Sequence, residues 1–105
     1  MTYFVYILEC QNNAYYTGYT TDIKRRYQEH QYGSVKCKYT RSFAPRRLAV
    51  CWQIESTLSL VLKIEYRIKK LSREKKLQLV CDPSKLQKLL GKIDISQHKI
   101  KPLHL

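Results

Sequence analysis

Two tyrosine-bearing triplets, Phe4-Val5-Tyr6 and Tyr16-Thr17-Gly18, flank Asn12-Asn13 near the N-terminus. No other feature constrains the fold as much. Aromatic and β-branched residues fit the pleated surface of a strand, and asparagine tolerates the left-handed backbone of a tight turn. Tyr3 to Glu9 and Ala14 to Tyr19 are therefore predicted to form an antiparallel hairpin, with Tyr6 and Tyr16 ten residues apart. Asp22 then suits the N-cap of a helix from Ile23 to about His30, which Gly33-Ser34 ends.

Further along, Pro45 and the paired Arg46-Arg47 lead into a third strand, about Leu48 to Ile54. Leu58, Val61, Leu62, Ile68 and Leu71 recur at helical spacing and predict a helix over 58–71 whose apolar stripe faces the sheet. Ser72 reads as a break, or as the cap of another helix through Leu79. Asp82-Pro83-Ser84 marks a boundary. Past it, Lys85 to Ile93 is weakly amphipathic and interrupted by Gly91, and Gln97 to Leu105 reads as a basic tail. The expectation is an α/β chain of the α+β kind in the order β-β-α-β-α-α, with a small three-stranded antiparallel sheet flanked by helices. Residues 1–82 would form the domain and 83–105 a basic C-terminal extension.

With 105 residues the chain can enclose one small core. Twenty Lys and Arg against eight Asp and Glu give a formal charge of +12, which calls for a polyanionic partner. Nucleic acid stands ahead of an anionic membrane surface, and a merely cationic protein is the plainer alternative. No apolar run is long enough to span a bilayer, and the start does not read as a signal peptide, so no membrane role is expected. Cys10, Cys37, Cys51 and Cys81 are scattered without C-x-x-C or paired-His spacing, which argues against zinc and for reduced thiols in the cytoplasm.

Ile23, Arg26, Tyr27 and His30 share one face of the first helix, while Lys24 and Arg25 point elsewhere. An arginine held inward needs an anion. A scissile phosphate would serve, and so would Glu65 or Glu9 in a structural ion pair. Glu65 falls within the apolar stripe of the later helix, where a carboxylate is costly unless it is paired or holds a cation. A hard Mg²⁺ or Mn²⁺ ion completed by water and phosphate oxygens would suit it. His30 has an ordinary pKa suited to proton transfer, although a lone histidine near a helix end is more often structural. Lys36, Lys38, Arg41, Arg46 and Arg47 form a basic stretch suited to phosphate contacts.

Together these residues resemble the GIY-YIG nuclease superfamily over roughly residues 3 to 80. Phe4-Val5-Tyr6 stands where that family has Gly-Ile-Tyr, and Tyr16-Thr17-Gly18 where it has Tyr-Ile-Gly. Tyr39-Thr40-Arg41, Pro45-Arg46-Arg47 and the run from Glu65 to Ser72 look closer to small bacterial stand-alone members. That branch is related to the nuclease domain of the eukaryotic endonuclease that cuts branched DNA. The resemblance implies hydrolysis of a phosphodiester with one metal ion. Tyr6 and Tyr16 would frame the attacking water, Arg26 would stabilise the charged phosphate, His30 would assist a proton transfer and Glu65 would hold the ion. Gly18 would let the backbone turn where a side chain would crowd the site. Two departures stand out: Phe4 replaces the first glycine, and Tyr19 sits where the excision-repair incision subunit has lysine.

The leading expectation is a Mg²⁺- or Mn²⁺-dependent DNA endonuclease in repair or recombination, with a protein partner as a source of specificity. The alternatives are a binding module that has lost catalysis and an RNA-handling protein. Tyr6, Tyr16, Arg26, His30 and Glu65 in one chain favour catalysis, because binding alone has no evident need for a buried carboxylate.

Overall fold

A computed structural model describes residues 1–33, 43–91, 93, 95 and 98–103. Lys36, Lys38 and Arg41 lie outside the described residues. The chain opens with strands β1 (Thr2–Cys10) and β2 (Tyr15–Thr20), paired antiparallel with Tyr6 opposite Gly18 and Leu8 opposite Tyr16. Asn13 makes the turn in a left-handed conformation, φ 65°, and its N–H donates to the Cys10 carbonyl. Helix α1 (Ile23–Tyr32) starts on Asp22, whose side chain accepts from the Arg25 N–H, and stops at left-handed Gly33. It runs two residues beyond the expected end at His30.

Strand β3 (Pro45–Glu55) returns along β1. Helix α2 (Leu58–Lys70) is capped by Thr57, and α3 (Arg73–Cys81) by Ser72, so the Ser72 break opens a helix. A 3₁₀ turn (Pro83–Lys85) leads into the short α4 (Leu86–Leu90). The chain then adds strand β4 (Lys99–Leu103), antiparallel to β3. The sheet therefore has four strands in the order β2-β1-β3-β4, where the sequence predicts three. The stretch expected as a basic tail contributes the fourth.

Period-two alternation along β1 divides the core. Val5 and Ile7 point to one face, where Val50, Trp52 and Ile54 meet Val61, Ile64 and Ile68 of α2, Leu79 of α3 and Leu86 and Leu90 of α4. Tyr6, Leu8 and Cys10 point to the other, with Cys51 and with Ile23 of α1. The extension past Pro83 shares the larger core, and the Trp52 indole N–H donates to the Pro83 carbonyl at 3.1 Å. Cys10, Cys51 and Cys81 are free thiols, and burial pushes the Cys51 thiol up to about 12. No helix among the described residues is long and apolar enough to cross a membrane.

The stripe on α2 is rotated from the expected one. Val61, Ile64 and Ile68 are buried, whereas Leu58 and Leu62 are about two-fifths exposed, at 42% and 41%. Glu65 consequently stands on the flank of the buried face rather than in its middle.

Candidate active site

Strand pairing and helix periodicity bring four of the predicted site residues together. Because Tyr6 faces α1, its cross-strand neighbour Gly18 and the next residue on that face of β2, Tyr16, share its side of the sheet. From α1, His30 projects onto the same patch and is completely buried. Tyr6 Oη and His30 Nε2 lie 2.8 Å apart in a buried hydrogen bond whose direction follows the imidazole tautomer. Both phenol rings meet that imidazole edge-on, with centroids 5.7 Å away for Tyr6 and 5.1 Å for Tyr16. Tyr6 is only 1% exposed, while Tyr16 keeps part of its surface in solvent.

Gly18 makes this packing possible, though not as a turn. It lies within β2 with ordinary strand pairing, and a Cβ there would sit 2.5 Å from Tyr6 Oη and 2.7 Å from its Cζ. The glycine is needed because the Tyr6 phenol fills the space a side chain would take. Thr17, between the two, is buried on the opposite face.

Burial drives the His30 pKa down from 6.5 to about 4, and the nearby Arg26 guanidinium pushes the same way against the weaker opposite pull of Glu29. His30 is therefore neutral at pH 7, with one ring nitrogen a donor and the other an acceptor. Arg26, one helical turn before His30, is the inward arginine the spacing predicts, and among the described residues its ion pair is formed with neither Glu65 nor Glu9. It pairs with Glu29 at 3.4 Å, three residues on along α1. That local spacing was the available signal for Glu29. Arg26 and Glu29 also border a hollow of about 390 Å³ with Tyr19, Thr20, Thr21, Asp22 and Arg25.

Glu65 is not brought into this cluster. It stands on α2, which covers the other sheet face, and its carboxylate is 14% exposed and pairs with Lys69 at 3.6 Å. No group of three or more His, Cys, Asp and Glu gathers among the described residues. Arg46 and Arg47 lie on β3 and both contact Glu9, at 3.6 and 3.5 Å, with each side chain about half exposed.

A hairpin carrying two phenols, a helix that follows with arginine and histidine, and a later helix with glutamate define the class. The GIY-YIG catalytic domain model matches residues 2–78, and the chain belongs to that family. Its relatives are small UPF0213 proteins. UPF0213 protein BH0048 of Halalkalibacterium halodurans is 48% identical over 80 residues, 76% of this chain and 83% of that one. A UPF0213 protein of Syntrophus aciditrophicus is 49% identical over 77 residues, covering 73% and 87% of the two chains. Another, from Vibrio cholerae, is 40% identical over 87 residues, covering 83% and 85%. The solution NMR structure of the UPF0213 protein BH0048 from Bacillus halodurans superposes with a TM-score of 0.50 and 42% identity, over 89% of this chain and 100% of that one. The family domain implies nuclease-type activity, and its nucleases typically use divalent metal ions.

Proposed function

We propose that this protein is a Mg²⁺- or Mn²⁺-dependent endonuclease that hydrolyses DNA phosphodiester bonds, on branched substrates in repair or recombination. The observation that carries the reading is the buried 2.8 Å hydrogen bond between Tyr6 and a neutral His30, with Tyr16 against the same imidazole. The hydrogen bond satisfies both buried polar groups, so the pair is held in one geometry. It fixes the Tyr6 phenol, while Tyr16 stays partly accessible to solvent.

In this reading Tyr16, the more accessible phenol, orients the attacking water, while Tyr6 is held by His30 Nε2 and holds the geometry of the patch. The water oxygen bonds to phosphorus as the bond from phosphorus to the leaving oxygen breaks. The attacking water gives its proton to bulk water, and the leaving oxygen takes one from bulk water. Arg26 exchanges Glu29 for a phosphate oxygen and stabilises the charge that develops there. Glu65 would hold the divalent ion, which supplies charge neutralisation and a more acidic bound water. Glu65 lies on the helix that covers the other face, so its part in the reaction rests on the scissile phosphate being reached at the edge strand β2. Arg46 and Arg47, with Lys36, Lys38 and Arg41, would contact the backbone without reading sequence.

Labelled duplex, single-stranded, flap, three-way and four-way junction DNAs test the proposal, each with Mg²⁺, Mn²⁺ or EDTA. Metal-dependent cutting that favours a branched DNA is expected. Tyr16→Phe should lose at least about a hundredfold in rate, and Tyr6→Phe less. Folded protein that cuts none of these DNAs in either metal overturns the assignment.

A further inference from the structure

Two arginines meet at the hairpin turn, away from the tyrosine–histidine patch, and Lys70 precedes one of them by three residues in the chain. Arg73, the first residue of α3, lies over the Tyr15 ring at 4.7 Å from its centroid and donates to the Asn13 carbonyl. Arg46 reaches the same asparagine from β3, donating to Asn13 Oδ1 at 3.2 Å and to the Gln11 carbonyl at 3.1 Å. At the end of α2, Lys70 Nζ sits 5.2 Å from the centroid of Tyr66, a ring that is itself exposed. Arg73, Arg46 and Lys70 are all exposed.

Stability does not account for this grouping. Two guanidinium groups converge on one residue. The nearby acid, Glu9, is divided between Arg46 and Arg47. From Arg67 to Lys76 the chain carries six basic residues (Arg67, Lys69, Lys70, Arg73, Lys75 and Lys76) and one acidic residue, Glu74. Arg73, Lys75 and Lys76 stand in the first turn of α3, where the helix dipole disfavours positive charge. A polyanion relieves all of these repulsions together. The aromatic faces and carbonyls hold the cations in place, so less freedom is lost when a phosphate binds, and a stacked guanidinium keeps N–H groups to donate.

We propose that Arg46, Arg73 and Lys70 form a clamp for the phosphate backbone of a DNA duplex arm leading away from the cleaved bond. The clamp rests on the nuclease reading for its substrate and adds where that substrate is held. Strands rise about 3.3 Å per residue, so Gln11, five residues past Tyr6, places the clamp roughly 16 Å along the hairpin. That distance spans about four or five nucleotides at about 3.4 Å each.

The test is binding of a labelled duplex in EDTA, read by anisotropy across a series of salt concentrations. Each phosphate contact adds about 0.9 to the slope of log affinity against log salt. Arg73→Gln and Lys70→Gln should each lower the slope by about that amount, and the pair by about twice it. Lys88→Gln, an equal charge loss on the exposed side of α4, should leave the slope unchanged. Lys70→Gln guards against misfolding, since that side chain touches the Tyr66 ring and supports no backbone. An unchanged slope in the folded Lys70 and Arg73 variants overturns the clamp, as does an equal fall in the Lys88 control. Cleavage in Mg²⁺ with unchanged slopes would remove the clamp alone. Lowered slopes without cleavage would remove the nuclease reading and keep the clamp.

Discussion

Gly18 and the Tyr6 phenol compete for one volume across the hairpin, and the glycine yields it. Gly18→Ala would place a methyl group 2.5 Å from Tyr6 Oη and 3.3 Å from Tyr16 Cε1. The Tyr6 ring is locked in the core, so the hydroxyl would have to leave His30 Nε2. Overpacking of this kind costs about 1–3 kcal/mol, which urea unfolding would report, and cleavage should fall with it. His30 gives a second prediction at this scale. In the unfolded chain its imidazole binds a proton below about pH 6.5, but in the folded protein only below about 4. Between those values the unfolded state holds more protons, so stability falls as pH drops from 6.5 to 4 and is level above. The full difference amounts to at most about 3 kcal/mol. Denaturation midpoints of the parent and His30→Gln proteins across that range would check it, with the variant losing this dependence. Tyr6, Tyr16, Arg26 and His30 were legible as one patch because hairpin register and helix periodicity are local rules. Glu29 follows the same local rule, three residues from Arg26, whereas Glu65 and Glu9 match only on charge.

Among the elements, the hairpin, α1, β3, α2 and α3 follow from the sequence to within a few residues, since each carries its own caps and pattern. The last strand does not. Lys99-Ile100-Lys101-Pro102-Leu103 combines proline and lysine at a sheet edge, which weakens local strand propensity while protecting the edge from other chains. Its pairing with β3 is a tertiary contact that no local pattern encodes. The rotation of α2 is likewise not encoded locally. Leu58 and Leu62 match a helical stripe as well as Ile64 does, and only the packed sheet selects Val61, Ile64 and Ile68. The C-terminal segment should then matter to the whole core. Leu90, 3% exposed within that core, is expected to cost about 2–5 kcal/mol as Leu90→Ala. Urea unfolding should show a single transition shifted to lower denaturant, and a midpoint equal to the parent would mean that α4 is not part of the core.

For the molecule as a whole, a charge of +12 and a sheet with different chemistry on its two faces belong together. One face carries the phenols, the imidazole and Arg26. The other carries α2 with Glu65 and, at its end, the cations near the hairpin turn. A substrate that meets both would have to reach them at the edge strand β2. The basic character was plain in the sequence. Its concentration around Asn13 was not, because Arg46 and Arg73 are distant in the chain and meet only in the fold.

Single-turnover cleavage of a labelled branched DNA by the parent and Glu65→Gln proteins, side by side in Mg²⁺ and in EDTA, tests the central claim most directly. The account predicts cutting by the parent in Mg²⁺ alone, and its loss in a variant that remains folded and still binds the DNA. Equal cutting by both proteins, or cutting that persists in EDTA, would contradict it.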